Sequence, residues 1–178
     1  VTYASPNGIE DHVRVQMLPD QRPIEPASDE KYDRSIVEGE DCFADQTCAF
    51  LRTENPLTKK NTLMTISYTL FKDFRWVDLN LPDPADVPEG ETAESDEPRW
   101  AIVGRSWMAE EAQADEGTSI LQSYSLEVWI PTDDGTNRMM SLWSESDSDL
   151  GEDVVAGATR SGIQGIFEAG DDWIEENP

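Results

Sequence analysis

The chain has 178 residues, of which 38 are acidic and 13 basic, giving a net charge of -25 at pH 7. Such a surface repels phosphate backbones and anionic headgroups, which argues against nucleic-acid partners, and no apolar run is long enough to cross a bilayer. The length suits one domain with a single core, anchored by 6 Trp, 5 Phe and 4 Tyr.

Residues 1–33 carry Pro6, Pro19, Pro23 and Pro26 among charged side chains, with one short alternation in HVRVQML. They read as an extended arm ahead of a single domain at 34–178. A start at Val1 rather than Met suggests a processed piece. RSIVEGEDC reads as an opening strand, followed by one or two helical turns in FADQTCAFLRTENP that Pro56 should end. Cys42 and Cys48 are a close pair with no third cysteine to compete, and a disulfide between them is expected. With one histidine, His12, there is no zinc-ligand set around them. A disulfide suits an exported protein, secreted, periplasmic or lipid-anchored at the cell envelope.

From Asn61 the pattern becomes strand-like. In TLMTISYTLF, Met64, Ile66, Tyr68 and Leu70 share one face. FRWVDLNL continues after a turn or bulge at Lys72 and Asp73. Residues 82–98 hold four prolines and seven acids and read as an exposed flexible loop. RWAIVGRSWM has large residues on both faces, as a central strand would. SYSLEVWI places Tyr124, Leu126, Val128 and Ile130 on one side, and Asp134-Gly135 predicts a hairpin into a strand carrying Met140 and Leu142. From Glu152 a helix is expected, with Val155, Thr159, Ile163, Ile166, Phe167, Gly170, Trp173 and Ile174 on one face and Asp171 opposite. Ser148 or Asp149 is placed to cap it.

Catalytic motifs are missing from the sequence: there is no G-x-S-x-G, Walker loop, H-E-x-x-H or dinucleotide fingerprint. The lone His12 makes a nucleophile-base pair improbable, so no enzyme activity and no cofactor are expected. ESDSDLGED alternates acids like a calcium loop, but Leu150 replaces the turn glycine and Ala156 the bidentate acid, so no metal is expected either.

A strand, short helical turns, a meander of further strands including SYSLEVWIPTDDGTNRMMSLW, and a long C-terminal helix together resemble the helix-grip architecture of the START-like (SRPBCC) superfamily. The resemblance implies an α+β fold, with a curved antiparallel sheet of about six to seven strands packed on the C-terminal helix; a lipocalin-like barrel is the alternative. It further implies non-catalytic binding of a hydrophobic small molecule or lipid between sheet and helix. The alternative is an exported structural or protein-interaction domain with a filled core. The residues expected to line such a cavity are Tyr68, Trp76, Arg105, Trp107, Tyr124, Leu126, Met140, Ile163 and Phe167. The Tyr124–Ile130 face is expected to look toward the helix, across volume left vacant by Gly162 and Gly170.

Overall fold

The computed structural model describes residues 1–28, 31–60, 65–80, 82, 87, 99–114, 117–147 and 151–178. In chain order the elements are β1 (Thr2–Ser5), α1 (Ile9–Met17), two 3-10 turns (Arg22–Ile24 and Pro26–Ser28), β2 (Lys31–Tyr32) and β3 (Ser35–Glu38). They continue with β4 (Phe50–Lys60), β5 (Thr65–Asp78), β6 (Trp100–Met108), β7 (Ala112–Gln113), β8 (Ser119–Thr132), β9 (Gly135–Asp147) and α2 (Glu152–Glu176). The strands form one nine-stranded antiparallel sheet in the order β1-β9-β8-β6-β5-β4-β2, with β3 also on β4 and β7 on β8. The fold is thus α+β. Closure into a barrel requires the end strands to pair edge to edge; here β1 and β2 pair only inward, so the sheet is open and the barrel alternative fails.

Several sequence expectations need correction. Residues 1–33 are not an extended arm. β1 pairs with β9 from Thr2↔Met139 to Ser5↔Thr136, and HVRVQML belongs to α1 rather than to a strand. Ile9, His12, Val13 and Gln16 are all buried, at helical spacing. Two of the four are polar, which hides that period from an apolar count. Of the segment expected to form helical turns ending at Pro56, only the part around the cysteines forms turns; from Phe50 it is strand β4, and Pro56 sits inside that strand opposite Thr69. Its carbonyl accepts from the Asp33 amide, on the side where β3 has ended and β2 begins, so the missing N–H falls where the ladder is already interrupted. β5 runs unbroken through Lys72 and Asp73. Nine strands rather than six or seven result because β1, β2 and β7 are too short to show a period and β4 replaces expected helical turns, while two expected strands merge into β5. The acidic segment 82–98, apart from Pro82 and Val87, lies outside the described residues, as do Met64 and the capping candidates Ser148 and Asp149.

The expected hairpin forms, with Thr132 paired to Gly135 and the turn at Asp133-Asp134. Gly135 has a φ of 138°, and a Cβ there would stand 2.2 Å from the Ser5 carbonyl oxygen. Only glycine lets β1 lie against the hairpin. Cys42 and Cys48 are bonded, closing the turn that carries Phe43.

The core is concentrated at one end of the sheet. Ile9 and Val13 of α1 pack with Phe43, Leu51, Phe74, Trp76, Ile102 and Trp129. At Gly104 a Cβ would lie 3.0 Å from both Phe74 and Trp129, so the two rings meet only over a glycine. A smaller cluster of Val15, Ile24 and Ile174 joins α1, the first 3-10 turn and the end of α2. α2 is therefore anchored unequally. Ile163, Phe167, Gly170, Asp171 and Ile174 are buried, whereas in residues 152–162 only Val155 and Thr159 are even half-buried. Its first half stands off the sheet.

Candidate binding site

Strand alternation decides which side chains meet α2. In β4 the inner face is Leu51, Thr53, Asn55, Leu57 and Lys59, and register places these opposite Phe74, Lys72, Leu70, Tyr68 and Ile66 of β5. β6 contributes Gly104 and Ser106, β8 Ser123, Ser125 and Glu127, and β9 Arg138, Met140 and Leu142. Between this face, the 3-10 turns and the first half of α2 lies a cavity of about 400 Å³. Its wall is predominantly apolar, with Ile66, Leu70, Met140 and Leu142 from the sheet and Val155, Ile163 and Ile166 from α2. Another depression, of about 470 Å³, is lined by Glu54, Ser67, Thr69 and Glu110 among others. Its lining is mostly polar, although Pro56, Leu57, Phe71 and Ala109 also border it.

Of the residues expected to line a cavity, Tyr68, Met140 and Ile163 do so. Trp76 is instead core: its indole donates to the Phe43 carbonyl at 2.9 Å and its ring stacks on Phe43. Phe167 is fully buried against Tyr3 and Arg138. Arg105 borders the cavity, but its guanidinium pairs on the opposite face with Asp73 at 2.7 Å and lies over Trp107.

Trp107, Tyr124 and Leu126 are on the outer face. The structure inverts the expectation for β8: Ser125 and Trp129 are buried, whereas Tyr124 and Ile130 are 42% and 37% exposed. Tyr124, Leu126, Val128 and Ile130 point away from α2, and Ser123, Ser125, Glu127 and Trp129 point toward it. A one-residue change of phase exchanges the faces, and amphipathic alternation favours the apolar set only when the other side meets water. Here both sides are partly covered. Phe71, Trp107, Tyr124 and Trp143 fall in one cross-strand row on the outer face, with Phe71 stacked on Trp107 and Tyr124 packed at a tilt on Trp143.

Charged residues at the cavity escape the sequence reading. At one place Arg138 donates to Glu127 at 3.0 Å. Burial raises the Glu127 pKa, an effect the Arg138 charge opposes without cancelling. At the end near the 3-10 turns, Glu25 accepts from Lys59 at 3.2 Å and Lys72 at 3.3 Å. Burial alone would raise the Glu25 pKa, but the two ammonium groups outweigh it and hold it below the usual range. The available signal was position parity: Lys59 and Lys72 share the inner face with Leu57 and Leu70.

Ser5, His12 and Asp171 meet in a buried cluster beside α2. Ser5 Oγ donates to Asp171 Oδ1 at 2.7 Å and lies 3.1 Å from His12 Nε2. Because the serine proton is committed to the carboxylate, His12 must donate, and no base is left to activate the hydroxyl. All three side chains are at most 5% exposed. The cluster joins β1 and α1 to α2, which explains why Asp171 faces inward rather than outward as expected.

No family model matches the chain, and no curated protein matches it. Among solved structures it is similar to the crystal structure of TTHA0849 from Thermus thermophilus, with a TM-score of 0.53 and 13% identity over 99% of this chain and 95% of that chain. At that identity the likeness concerns the fold alone.

Proposed function

We propose that this protein is a START-like, helix-grip domain that binds a hydrophobic small molecule or lipid, without catalysis, between the sheet and the first half of α2. The supporting observation is the apolar cavity of about 400 Å³ under a helix anchored only at its far end. Apolar pockets of several hundred Å³ with a few placed polar groups are the usual form of a small-molecule site. The bonded Cys42–Cys48 pair supports an exported setting, and no helix among the described residues is long and apolar enough to cross a membrane.

Binding of the neutral fluorophore N-phenyl-1-naphthylamine tests the reading. A saturable rise in its emission, reversed by decanol, is expected. Ile163→Trp, which fills the cavity from α2, should abolish that signal while circular dichroism stays unchanged. No saturable emission in the wild type would favour the exported interaction domain with a functionally closed interior.

A further inference from the structure

Lysine is scarce in this chain: there are only four, at 31, 59, 60 and 72. Two of the four, Lys59 and Lys72, line the cavity. Burying an ammonium is unfavourable unless it is paired, so two lysines at one end of an apolar pocket need a reason. Glu25 supplies half of it, with one carboxylate oxygen toward each lysine. One carboxylate does not balance two ammonium groups.

The excess positive charge is larger than that pair alone. Arg34, bonded through one nitrogen to the Gln16 carbonyl, is within electrostatic reach of both Glu25 and Lys72. Its Nε and Nη1 are buried and have no hydrogen-bond partner among the described residues. Tyr32, 5% exposed, turns a buried hydroxyl toward Lys72, whose Nζ is 5.7 Å from its ring centroid. Glu127 pairs with Arg138 and is also within electrostatic reach of Lys72, so among the described residues Lys59, Lys72, Arg34 and Arg138 face two carboxylates, Glu25 and Glu127. Among the described residues this end of the pocket is therefore locally positive, inside a protein of net charge -25.

Resting on the proposed hydrophobic-ligand reading, we infer that the natural ligand is an acid: an apolar body carrying one carboxylate, seated against Lys59 and Lys72 beside the 3-10 turns. Each ammonium has three N–H donors; each gives one to Glu25, and Lys72 also interacts with the Tyr32 hydroxyl. The remainder are available to an incoming oxyanion, which Glu25 itself imitates. The apolar wall formed by Ile66, Leu70 and Leu142 takes the tail. A cationic amphiphile would meet two ammonium groups, and an alcohol would leave the excess charge unanswered.

Isothermal titration with decanoate, decanol and decyltrimethylammonium, which share one tail, separates this inference from the reading beneath it. Decanoate is expected to bind at least about tenfold more tightly than decanol, a difference of about 1.4 kcal/mol, and the cation least. Lys72→Met should bring decanoate to the level of decanol without changing decanol. Glu25→Gln, which frees both lysines, should tighten decanoate by several-fold.

Equal affinity for decanoate and decanol would overturn the carboxylate inference and leave hydrophobic binding standing. Tighter binding of the cation would do the same, by making Glu25 the recognition group. No binding of any of the three would overturn both. The wild-type comparison decides even if a variant fails to fold.

Discussion

Arg138 donates to Glu127 at 3.0 Å while its guanidinium carbon lies 4.2 Å above the Phe167 ring. The side chains are 3% and 18% exposed, so the pair holds α2 to the sheet from a site where water contributes little. Removing one partner of a buried pair leaves an uncompensated charge, at about 3 to 5 kcal/mol, whereas replacing both can be nearly neutral. Glu127→Leu should therefore lower stability by about that amount, and Glu127→Leu with Arg138→Met should recover most of it. Urea unfolding of the two variants measures the difference; an equally unstable double variant would place the effect in lost packing against Phe167.

The single histidine makes one titration unambiguous. Burial, then the Arg138 charge, lowers the His12 pKa from 6.5 to about 4. The unfolded chain thus takes up a proton below about pH 6.5 that the folded chain refuses until about pH 4. This contribution to stability is complete above that window and is lost as pH falls through it. The ring proton resonances in an NMR titration should stay in their neutral positions down to about pH 5, and a midpoint near 6.5 would mean that His12 is solvated.

Two glycines of α2 should respond oppositely to substitution. A Cβ on Gly162 meets nothing within 4 Å, whereas on Gly170 it would lie 3.2 Å from Arg138 Nη1. Gly162→Ala should stabilise by about 1 kcal/mol through helix propensity. Gly170→Leu should destabilise by about 1 to 3 kcal/mol through overpacking, so the vacant volume expected at Gly170 is already taken by the arginine. Thermal unfolding of both variants is the check.

Cys42 and Cys48 close a short loop around Phe43, which is fully buried. In the chain-entropy model such a bridge contributes about 2 kcal/mol. Cys42→Ser with Cys48→Ser should lower the urea midpoint accordingly, and alkylation of the unreduced wild type should add no label by intact mass.

Salt should raise the thermal midpoint. At -25 the folded chain repels itself, and moving from about 0.01 to 0.15 M ionic strength shortens the screening length from about 30 to 8 Å. A midpoint that stays flat across that range would mean that the acids are compensated locally, as Asp73 is by Arg52 and Arg105.

The sequence by itself determined the long elements and one covalent link. Alternation specified β8 and β9 and the inner set Ile66, Tyr68 and Leu70; large residues on both faces specified β6; an amphipathic stripe specified α2; and isolation of two cysteines specified their bond. These are short-range properties, legible because each repeats along the chain. Tertiary structure alone decided which face of β8 is inner. Its apolar residues Tyr124 and Ile130 face outward, because the outer sheet surface is itself an aromatic row and the inner one accommodates Glu127 and Trp129. It also decided that residues 9–17 form a core helix, since His12 and Gln16 are stabilised there by partners far away in sequence, such as Arg34 at the Gln16 carbonyl. The same holds for Glu25, Lys59 and Lys72, which converge from three elements. A charge reads as solvent-exposed along a chain, and only its position in space shows what it must neutralise.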